Sequence, residues 1–242
     1  MKKALVIGGG FAGCAAAEQL GTLGGWDVLL VDGSAWLGGG CKTLFHGGHP
    51  YTFGPRHFVT KKSKLFNYLN GFVPLRRCNE HEFLTYVVQD EAFYNFPINE
   101  EDITKMPDFE LIKEERQIAV GAEGAENLEE YWLNSVGKTL YEKFVKEYNK
   151  KMWMVEDNTK IDTFSWSAKG PTIQQGPRAV FHDWYSAYPI SKNGYDDYFD
   201  AATKDATVRL KTRIERYDIP KRTVFIDGHK MVFDIIVNTI GP

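Results

Sequence analysis

The chain has 242 residues, a formal net charge of -3 and an isoelectric point near 6.1, enough length for one large domain or two small ones. This charge provides no basic field for nucleic acid or an anionic membrane. No apolar run approaches the length of a membrane span, and the chain opens directly into a strand, without room for a signal peptide. Its three cysteines lack metal-type spacing and fit free thiols. We expect a cytoplasmic protein without metal.

The N-terminal segment predicts a strand, a glycine turn, a helix and a second strand. Residues 4–7 form an apolar run typical of a buried parallel strand, and residues 28–31 form another. Between them lies the motif Gly8-x-Gly10-x-x-Gly13. Its glycines permit a tight turn, a close backbone approach to a pyrophosphate, and close packing of helix on strand. The free N–H groups at the helix start favour an anion, so the motif predicts dinucleotide binding.

An acid and a second glycine cluster favour FAD over a nicotinamide dinucleotide. Asp32 follows the second strand, where a carboxylate accepts hydrogen bonds from an adenosine ribose. The loop 33–43 then carries Gly38, Gly39 and Gly40 in place of a third βα unit, and a flexible linker is the alternative interpretation. The predicted cofactor contacts so far are Gly8, Gly10, Phe11, Ala12, Gly13, Asp32, Gly38, Gly39 and Gly40.

The last forty residues predict strands that return to the N-terminal sheet. Residues 208–212 alternate, residues 223–226 follow, and Asp227-Gly228 signals a tight hairpin before the apolar segment 231–239. In FAD proteins such a late segment rejoins the first sheet and ends in a small-residue turn against the cofactor. Gly241 is the candidate for that turn, while an ordinary hairpin is the alternative.

The middle of the chain predicts helices with a small sheet. Helical spacing covers residues 61–72, 99–106, 108–120, 127–136 and 138–152, and strand-like segments cover 83–88 and 92–96. Tyr141, Phe144, Val145, Tyr148 and Trp153 are expected to form one apolar face. The segment from Thr163 to Ser191 has no clear periodicity.

These elements predict an α/β fold in which an FAD-binding, Rossmann-like domain of the glutathione-reductase and amine-oxidase type carries two additions. The additions are a helical insert and a small antiparallel sheet layer. The expected domains are an FAD-binding domain (1–72 and 206–242), a sheet and substrate domain (73–98 and 155–205) and a helical domain (99–154).

Several blocks together resemble the UDP-galactopyranose mutase family. That family carries an "ENLEE…VG…LY…Y…K.W" signature, which residues 126–130, 136–141 and 148–153 match. Further similar blocks are the N-terminal flavin unit and residues 54–60, 95–98 and 239–242. The shared order of these blocks makes the match specific.

The resemblance implies an isomerase that interconverts the pyranose and furanose forms of a UDP-hexose without net redox change. Reduced FAD attacks the anomeric carbon through N5 and displaces UDP, so the cofactor supplies the nucleophile. The protein then has to hold the sugar, stabilise the diphosphate and exclude water. A homodimer is a further expectation.

The resemblance also implies residues that bind the substrate. Trp153 matches a tryptophan of the nucleotide-sugar site, and a core tryptophan is the alternative. Asn95 and Phe96 match a turn that faces the substrate. Tyr185 and Tyr195 align with an aromatic position and a glycine-tyrosine turn of the same site.

Three residues are candidates for catalysis. Arg178 aligns with an arginine that clamps the diphosphate through bidentate hydrogen bonds, and a solvated surface arginine is the alternative. The family has two histidines in the loop near the flavin, where this chain has Arg56 and Val59 with His57 between them. Arg56 is expected to stabilise an anionic reduced flavin, and His57 to replace a missing histidine.

The chain stops at Pro242, about where the family continues with further substrate and flavin segments. A natural short form, a truncated chain and a partner chain that supplies the rest are all open explanations. Two other functions also stay open: a flavin oxidoreductase of the amine-oxidase class, and a catalytically incomplete flavin- or nucleotide-binding protein.

Overall fold

The computed structural model describes residues 1–162 and 173–240. The strands in these ranges are β1 (Lys2–Ile7), β2 (Trp26–Val31), β3 (Leu44–His46), β4 (His49–Tyr51), β5 (Phe58–Thr60), β6 (Leu75–Arg77), β7 (Leu84–Val87), β8 (Ala92–Asn95), β9 (Tyr185–Pro189), β10 (Thr207–Arg209), β11 (Arg216–Asp218), β12 (Thr223–Ile226), β13 (His229–Val232) and β14 (Ile235–Asn238). The helices are α1 (Phe11–Leu23), α2 (Ser63–Phe72), α3 (Glu100–Ile103), α4 (Phe109–Gln117), α5 (Leu128–Val136), α6 (Lys138–Phe144), α7 (Lys146–Trp153) and α8 (Asp196–Ala202). None of these helices is long and apolar enough to cross a bilayer.

The chain forms two compact units. Unit 1 comprises Met1–Cys78 and Asp183–Pro242, and unit 2 comprises Asn79–His182. The α/β class predicted from the sequence is confirmed, since a parallel sheet and several small antiparallel sheets are both present. The division into cofactor, sheet and helical domains stays a prediction, because compactness does not identify functional domains.

A parallel four-stranded sheet in the order β10-β2-β1-β14 forms the centre of unit 1. β1 pairs with β2 along its whole length and with β14 on its other side, where Val6 lies opposite Val237. β10 extends the sheet by pairing with β2. The prediction that the last part of the chain rejoins the N-terminal sheet is therefore confirmed.

Both faces of this sheet are buried, as the continuous apolar runs predicted. Ala4 and Val6 of β1 lie in the core that contains α1, α2 and α8. Leu5 and Ile7 point to the opposite face and pack with residues of the β11-β12-β13 sheet. Alternate side chains of one strand therefore serve two cores, which explains the absence of a polar face in its sequence.

Two further elements of unit 1 differ in whether the local sequence predicts them. The turn between β12 and β13 has positive φ angles at Asp227 (49°) and Gly228 (73°), typical of the predicted tight hairpin. β9 lies between β5 and β6 in an antiparallel sheet, within the segment whose sequence showed no periodicity. Long-range pairing, which local spacing does not encode, therefore determines β9.

Unit 2 contains the predicted hairpin of β7 and β8 together with helices α3 to α7. The helical region predicted over 138–152 is present, but it is divided into α6 and α7 at Val145, where φ is -120° and ψ is -47°. The expected apolar face is correct only up to this break. Tyr141 and Phe144 are buried, whereas Tyr148 is 64% and Trp153 39% exposed. The residues that follow Val145 therefore do not belong to the buried face.

A buried cation holds two carboxylates together in unit 2. Lys143 on α6 forms ion pairs with Asp90 and with Asp108, the latter at 2.7 Å. The side chains of Lys143 and Asp90 are only 4% and 2% exposed. Burial raises the pKa of the neighbouring Tyr94 to about 12, and a hydrogen bond to Asp90 adds to this shift. The phenol therefore stays neutral beside this charge cluster.

Replacing Lys143 with methionine should lower the free energy of unfolding by about 3 kcal/mol or more, because the buried Asp90 then lacks its cation. The matched control is Lys146→Met, which removes an exposed pair with Glu142 and should change stability by less than about 1 kcal/mol. Urea unfolding followed by tryptophan fluorescence measures both values. Equal, small losses in the two variants would contradict the buried role of Lys143.

Candidate functional site

The glycine turn after β1 brings α1 against the sheet. A Cβ at Gly13 would lie 1.7 Å from the carbonyl oxygen of Gly8, so any side chain here would force α1 away. Gly8 itself has a φ of +100°, which side chains rarely adopt. A Cβ at Gly10 meets no atom within 4 Å. Gly10 therefore borders open space, which is the position predicted for the pyrophosphate.

The start of α1 presents backbone N–H groups without a side-chain cap. Gly10 occupies the capping position and forms no side-chain hydrogen bond. The side chain of Phe11 packs against Tyr195, Tyr198 and Phe199, with ring centroids 4.9 to 5.2 Å apart. Ala12 is exposed. A 13-residue helix with exposed first-turn donors is suited to bind an anion.

Asp32 lies at the end of β2 and accepts three hydrogen bonds. Its Oδ2 accepts the N–H of Gly9 at 2.6 Å, and its Oδ1 accepts the N–H and hydroxyl of Ser34 at 2.7 and 2.5 Å. Partial burial raises the pKa of Asp32, but these hydrogen bonds outweigh it and hold the pKa below its usual range. The carboxylate is therefore ionised at neutral pH, and its one remaining lone-pair site can accept a ribose hydroxyl.

A cavity of about 260 Å³ opens beside Asp32 at the carboxyl ends of β1 and β2. Its wall includes Gly8, Asp32, Arg213 and Tyr217. Ligands of parallel α/β sheets bind in this position. Neither Arg213 nor Tyr217 was predicted from the sequence. The alternation at residues 208–212 could have located them, since it places the chain after β10 at the same sheet edge.

The second glycine cluster lies directly against the first. The N–H of Gly38 donates to the carbonyl of Gly9 at 2.6 Å, and a Cβ at Gly39 would lie 3.6 Å from the Cα of Gly10. Gly38 has a φ of +102°, and the carbonyl of Gly40 accepts the N–H of Gly54 at 2.6 Å. The interpretation as a flexible linker is therefore wrong. Gly241 lies outside the described residues.

Arg56 and His57 immediately precede β5 and are both held by unit 1. Arg56 Nη2 donates to the carbonyl of Ser191 at 3.0 Å, and its own carbonyl accepts the hydroxyl of Tyr195 at 2.6 Å. His57 Nε2 lies 2.8 Å from Ser186 Oγ, and its ring stacks on Tyr188 with centroids 4.8 Å apart. Because the Ser186 hydroxyl donates to another carbonyl, His57 Nε2 is assigned as the donor.

The two tyrosines predicted for the substrate site occupy different surroundings. Tyr195 is 2% exposed, and burial raises the pKa of its phenol. Tyr185 on β9 is half-buried and stacks with Phe66 at 5.0 Å, while the guanidinium of Arg77 lies 4.8 Å from its ring. Tyr195 therefore supports the loop of Arg56, and Tyr185 remains partly accessible.

Asn95 and Arg178 lie together in unit 2. Asn95 is 3% exposed and accepts a hydrogen bond from Arg178 Nη1 through its side-chain oxygen. Arg178 also pairs with Asp102 at 2.8 Å and with Glu101 at 3.1 Å. Arg178 therefore has three partners within unit 2, and the alternative of a solvated surface arginine stays open. Its side chain is 27% exposed, and its role toward a diphosphate stays a prediction.

The other two predicted residues of unit 2 also differ in exposure. Phe96 stacks with Phe144 at 6.2 Å and packs near Trp132. Trp153 ends α7 and is 39% exposed, so it is not a core tryptophan. An exposed indole at a helix end provides an aromatic surface on which a base can stack.

The three cysteines form no disulfide, as expected from their number and spacing. Cys14 is buried in α1 and donates to the carbonyl of Gly9, and burial raises the pKa of its thiol to about 12. It is therefore a packing residue without thiolate character. The described residues include no group of three or more His, Cys, Asp or Glu side chains that could hold a metal ion.

Known proteins resemble this chain in sequence and fold. The profile of a family described as an NAD(P)-binding Rossmann-like domain matches residues 6–72. A Klebsiella pneumoniae protein named "Probable UDP-galactopyranose mutase" is 27% identical over 172 residues, which are 64% of this chain and 42% of that protein. The dTDP-fucopyranose mutase of Escherichia coli is 27% identical over 170 residues, 64% of this chain and 43% of that enzyme.

A crystal structure of reduced UDP-galactopyranose mutase has the same fold, with a TM-score of 0.77 and 16% identity. It covers 99% of this chain, and the chain covers 56% of it. The resemblance to the mutases that the motifs indicated is therefore confirmed. The chain matches about two fifths of the length of the curated relatives.

Gly10 and Gly13 should respond differently to substitution. Gly10→Val should leave the melting temperature nearly unchanged, because its Cβ enters open space, but should abolish dinucleotide binding. Gly13→Ala should lower stability by about 1–3 kcal/mol, because its Cβ overlaps the Gly8 carbonyl. Thermal unfolding and the dinucleotide released on denaturation, identified by absorbance and mass, measure both effects. Wild-type dinucleotide content in Gly10→Val would contradict the proposed position of the pyrophosphate.

Proposed function

We propose that this chain binds FAD and a UDP-sugar and acts as a UDP-galactopyranose mutase-like isomerase. The observation that carries the proposal is the hydrogen bond between Gly38 and Gly9, which holds the second glycine loop beside the first glycine turn. A flavin dinucleotide needs close backbone approach from both loops. The similarity to two sugar-nucleotide mutases supports the substrate class.

The residues of unit 1 fit FAD. Gly10 and the first turn of α1 would bind the pyrophosphate, and Asp32 would bind the adenosine ribose. Gly38 to Gly40 would contact the ribityl chain of FAD, which leads to the flavin ring. The open space at Gly10 and the cavity beside Asp32 are the observations that support this assignment. When bound in its reduced form, FAD would supply a nucleophilic N5 for the anomeric carbon, with no net redox change.

Arg56 and His57 would replace the two histidines of the mutases. The guanidinium of Arg56 donates to the carbonyl of Ser191, and Tyr195 holds the backbone carbonyl of Arg56, so the side chain offers a permanent positive charge that favours an anionic reduced flavin. His57 is held as a hydrogen-bond donor by Ser186 and by stacking on Tyr188. We assign Arg56 the electrostatic role and His57 a positioning role.

Trp153, Asn95, Phe96 and Arg178 would bind the nucleotide-sugar. The exposed indole of Trp153 suits stacking on uracil or contact with the sugar, and Arg178 suits the diphosphate because its planar fork matches phosphate oxygens. Stabilising the diphosphate would stabilise UDP as the leaving group. The homodimer, the cytoplasmic location and the contribution of Tyr185 remain predictions.

Any isomerase activity should require reduced flavin although no electrons are consumed. Dithionite-reduced protein mixed with UDP-galactofuranose should form UDP-galactopyranose, and the oxidised protein should not. Chromatography of the nucleotide-sugars measures the product. Equal rates in both states would rule out flavin as the nucleophile. Substrate-dependent oxygen or NADPH consumption would instead indicate an oxidoreductase, and FAD binding without turnover an incomplete enzyme.

Trp153→Ala should weaken UDP binding about fivefold or more, since loss of a desolvated aromatic contact costs on the order of 1 kcal/mol. The melting temperature should change little, because the side chain is partly exposed. The control is Ile112→Ala on α4, at a site that is 0% exposed, which should lower the melting temperature and leave UDP affinity unchanged. Calorimetric titration and thermal unfolding compare the two. The reverse pattern would show that Trp153 is structural.

A further inference from the structure

We propose that two adjacent carboxylates have opposite roles at Arg178. Asp102 anchors the guanidinium, whereas Glu101 covers its outer edge and is displaced when the diphosphate of the ligand binds. This inference rests on the proposed function, because it concerns the same arginine.

The surroundings of Asp102 identify it as the anchor. Its side chain is 6% exposed, and its Oδ2 accepts the backbone N–H of Asn95 at 2.7 Å. Its Oδ1 lies 2.8 Å from Arg178 Nη1 and 3.3 Å from Lys105 Nζ. A buried carboxylate with this many donors is costly to separate from its cation. Asp102 therefore connects two candidate substrate residues, Asn95 and Arg178, in one fixed arrangement.

Glu101 is held much less strongly. Its side chain is 69% exposed and contacts Arg178 through the other terminal nitrogen, Nη2, at 3.1 Å. An exposed pair of this kind contributes little to stability, because water and salt screen both charges. A diphosphate carries more charge than one carboxylate and can form bidentate hydrogen bonds with the guanidinium. The ligand can therefore replace Glu101 at Nη2 while Asp102 keeps Nη1.

A model based on net charge alone and the anchor model predict different effects of neutralising these carboxylates on the affinity for an anionic ligand. If only net charge mattered, neutralising either carboxylate would strengthen the binding of an anionic ligand. If Asp102 is the anchor, neutralising it weakens binding, because Arg178 and Asn95 lose their fixed positions. Only the neutralisation of Glu101 then strengthens binding. Asp102→Asn and Glu101→Gln each keep the size of the side chain and affect adjacent residues. The sign of each change in ligand affinity therefore distinguishes the two models.

The experiment compares wild type, Asp102→Asn, Glu101→Gln and Arg178→Lys by calorimetric titration with UDP and with uridine. We expect UDP to bind about tenfold more weakly to Asp102→Asn and to Arg178→Lys, and up to about fivefold more tightly to Glu101→Gln. Uridine, which has no phosphate, should bind all four proteins within twofold. Stronger UDP binding by both carboxylate variants, or no change in either, would overturn the proposal.

A second measurement tests the anchor without a ligand. Nitrogen-15 spectra of the Arg178 guanidinium should show restricted rotation in wild type and in Glu101→Gln, and free rotation in Asp102→Asn. If the wild type binds neither UDP nor uridine but shows this pattern, the proposed function fails and the anchor stands. Restricted rotation that depends on Glu101 would overturn the assignment of the two carboxylates. Thermal unfolding of each variant confirms that the comparison is between folded proteins.

Discussion

The contact between Gly13 and Gly8 is the constraint on which the rest of unit 1 depends. With no side chain at Gly13, α1 reaches the sheet so closely that a Cβ would overlap the carbonyl of Gly8. This approach buries Cys14 and Ala17 against β1 and aims the first turn of the helix at the space beside Gly10. Small residues in α1 are therefore required for packing and for the candidate cofactor site alike.

Much of the cofactor unit could be predicted because its signals are local or strongly patterned. The apolar runs of β1 and β2, the glycine spacing and Asp32 all lie within thirty-two residues, and each has a separate physical cause. The return of β14 to β1 was also predicted, although 231 residues separate Lys3 from its hydrogen-bond partner Asp234. There the resemblance to flavin proteins supplied the long-range pairing that periodicity alone does not contain.

The remaining features depend on tertiary contacts. Helical spacing places Tyr148 and Trp153 on one face with Tyr141, but these two residues follow the break at Val145 and are exposed. The sequence does not identify the partners of Arg178 either, since Asn95 precedes it by 83 residues and Asp102 by 76. No alternation marked β9, because its burial does not alternate along the strand, and its partners β5 and β6 come from a distant part of the chain.

The two units differ in sequence continuity, and this difference affects the order in which they can fold. Unit 2 is one continuous segment, whereas unit 1 needs residues from both ends of the described chain. During synthesis, β1 and β2 emerge before unit 2, but 175 residues separate β2 from its partner β10 and 227 separate β1 from its partner β14. Unit 2 can therefore reach its native contacts while the parallel sheet is still incomplete. For that time β1 exposes an unpaired apolar edge, the kind of surface through which incompletely folded chains aggregate.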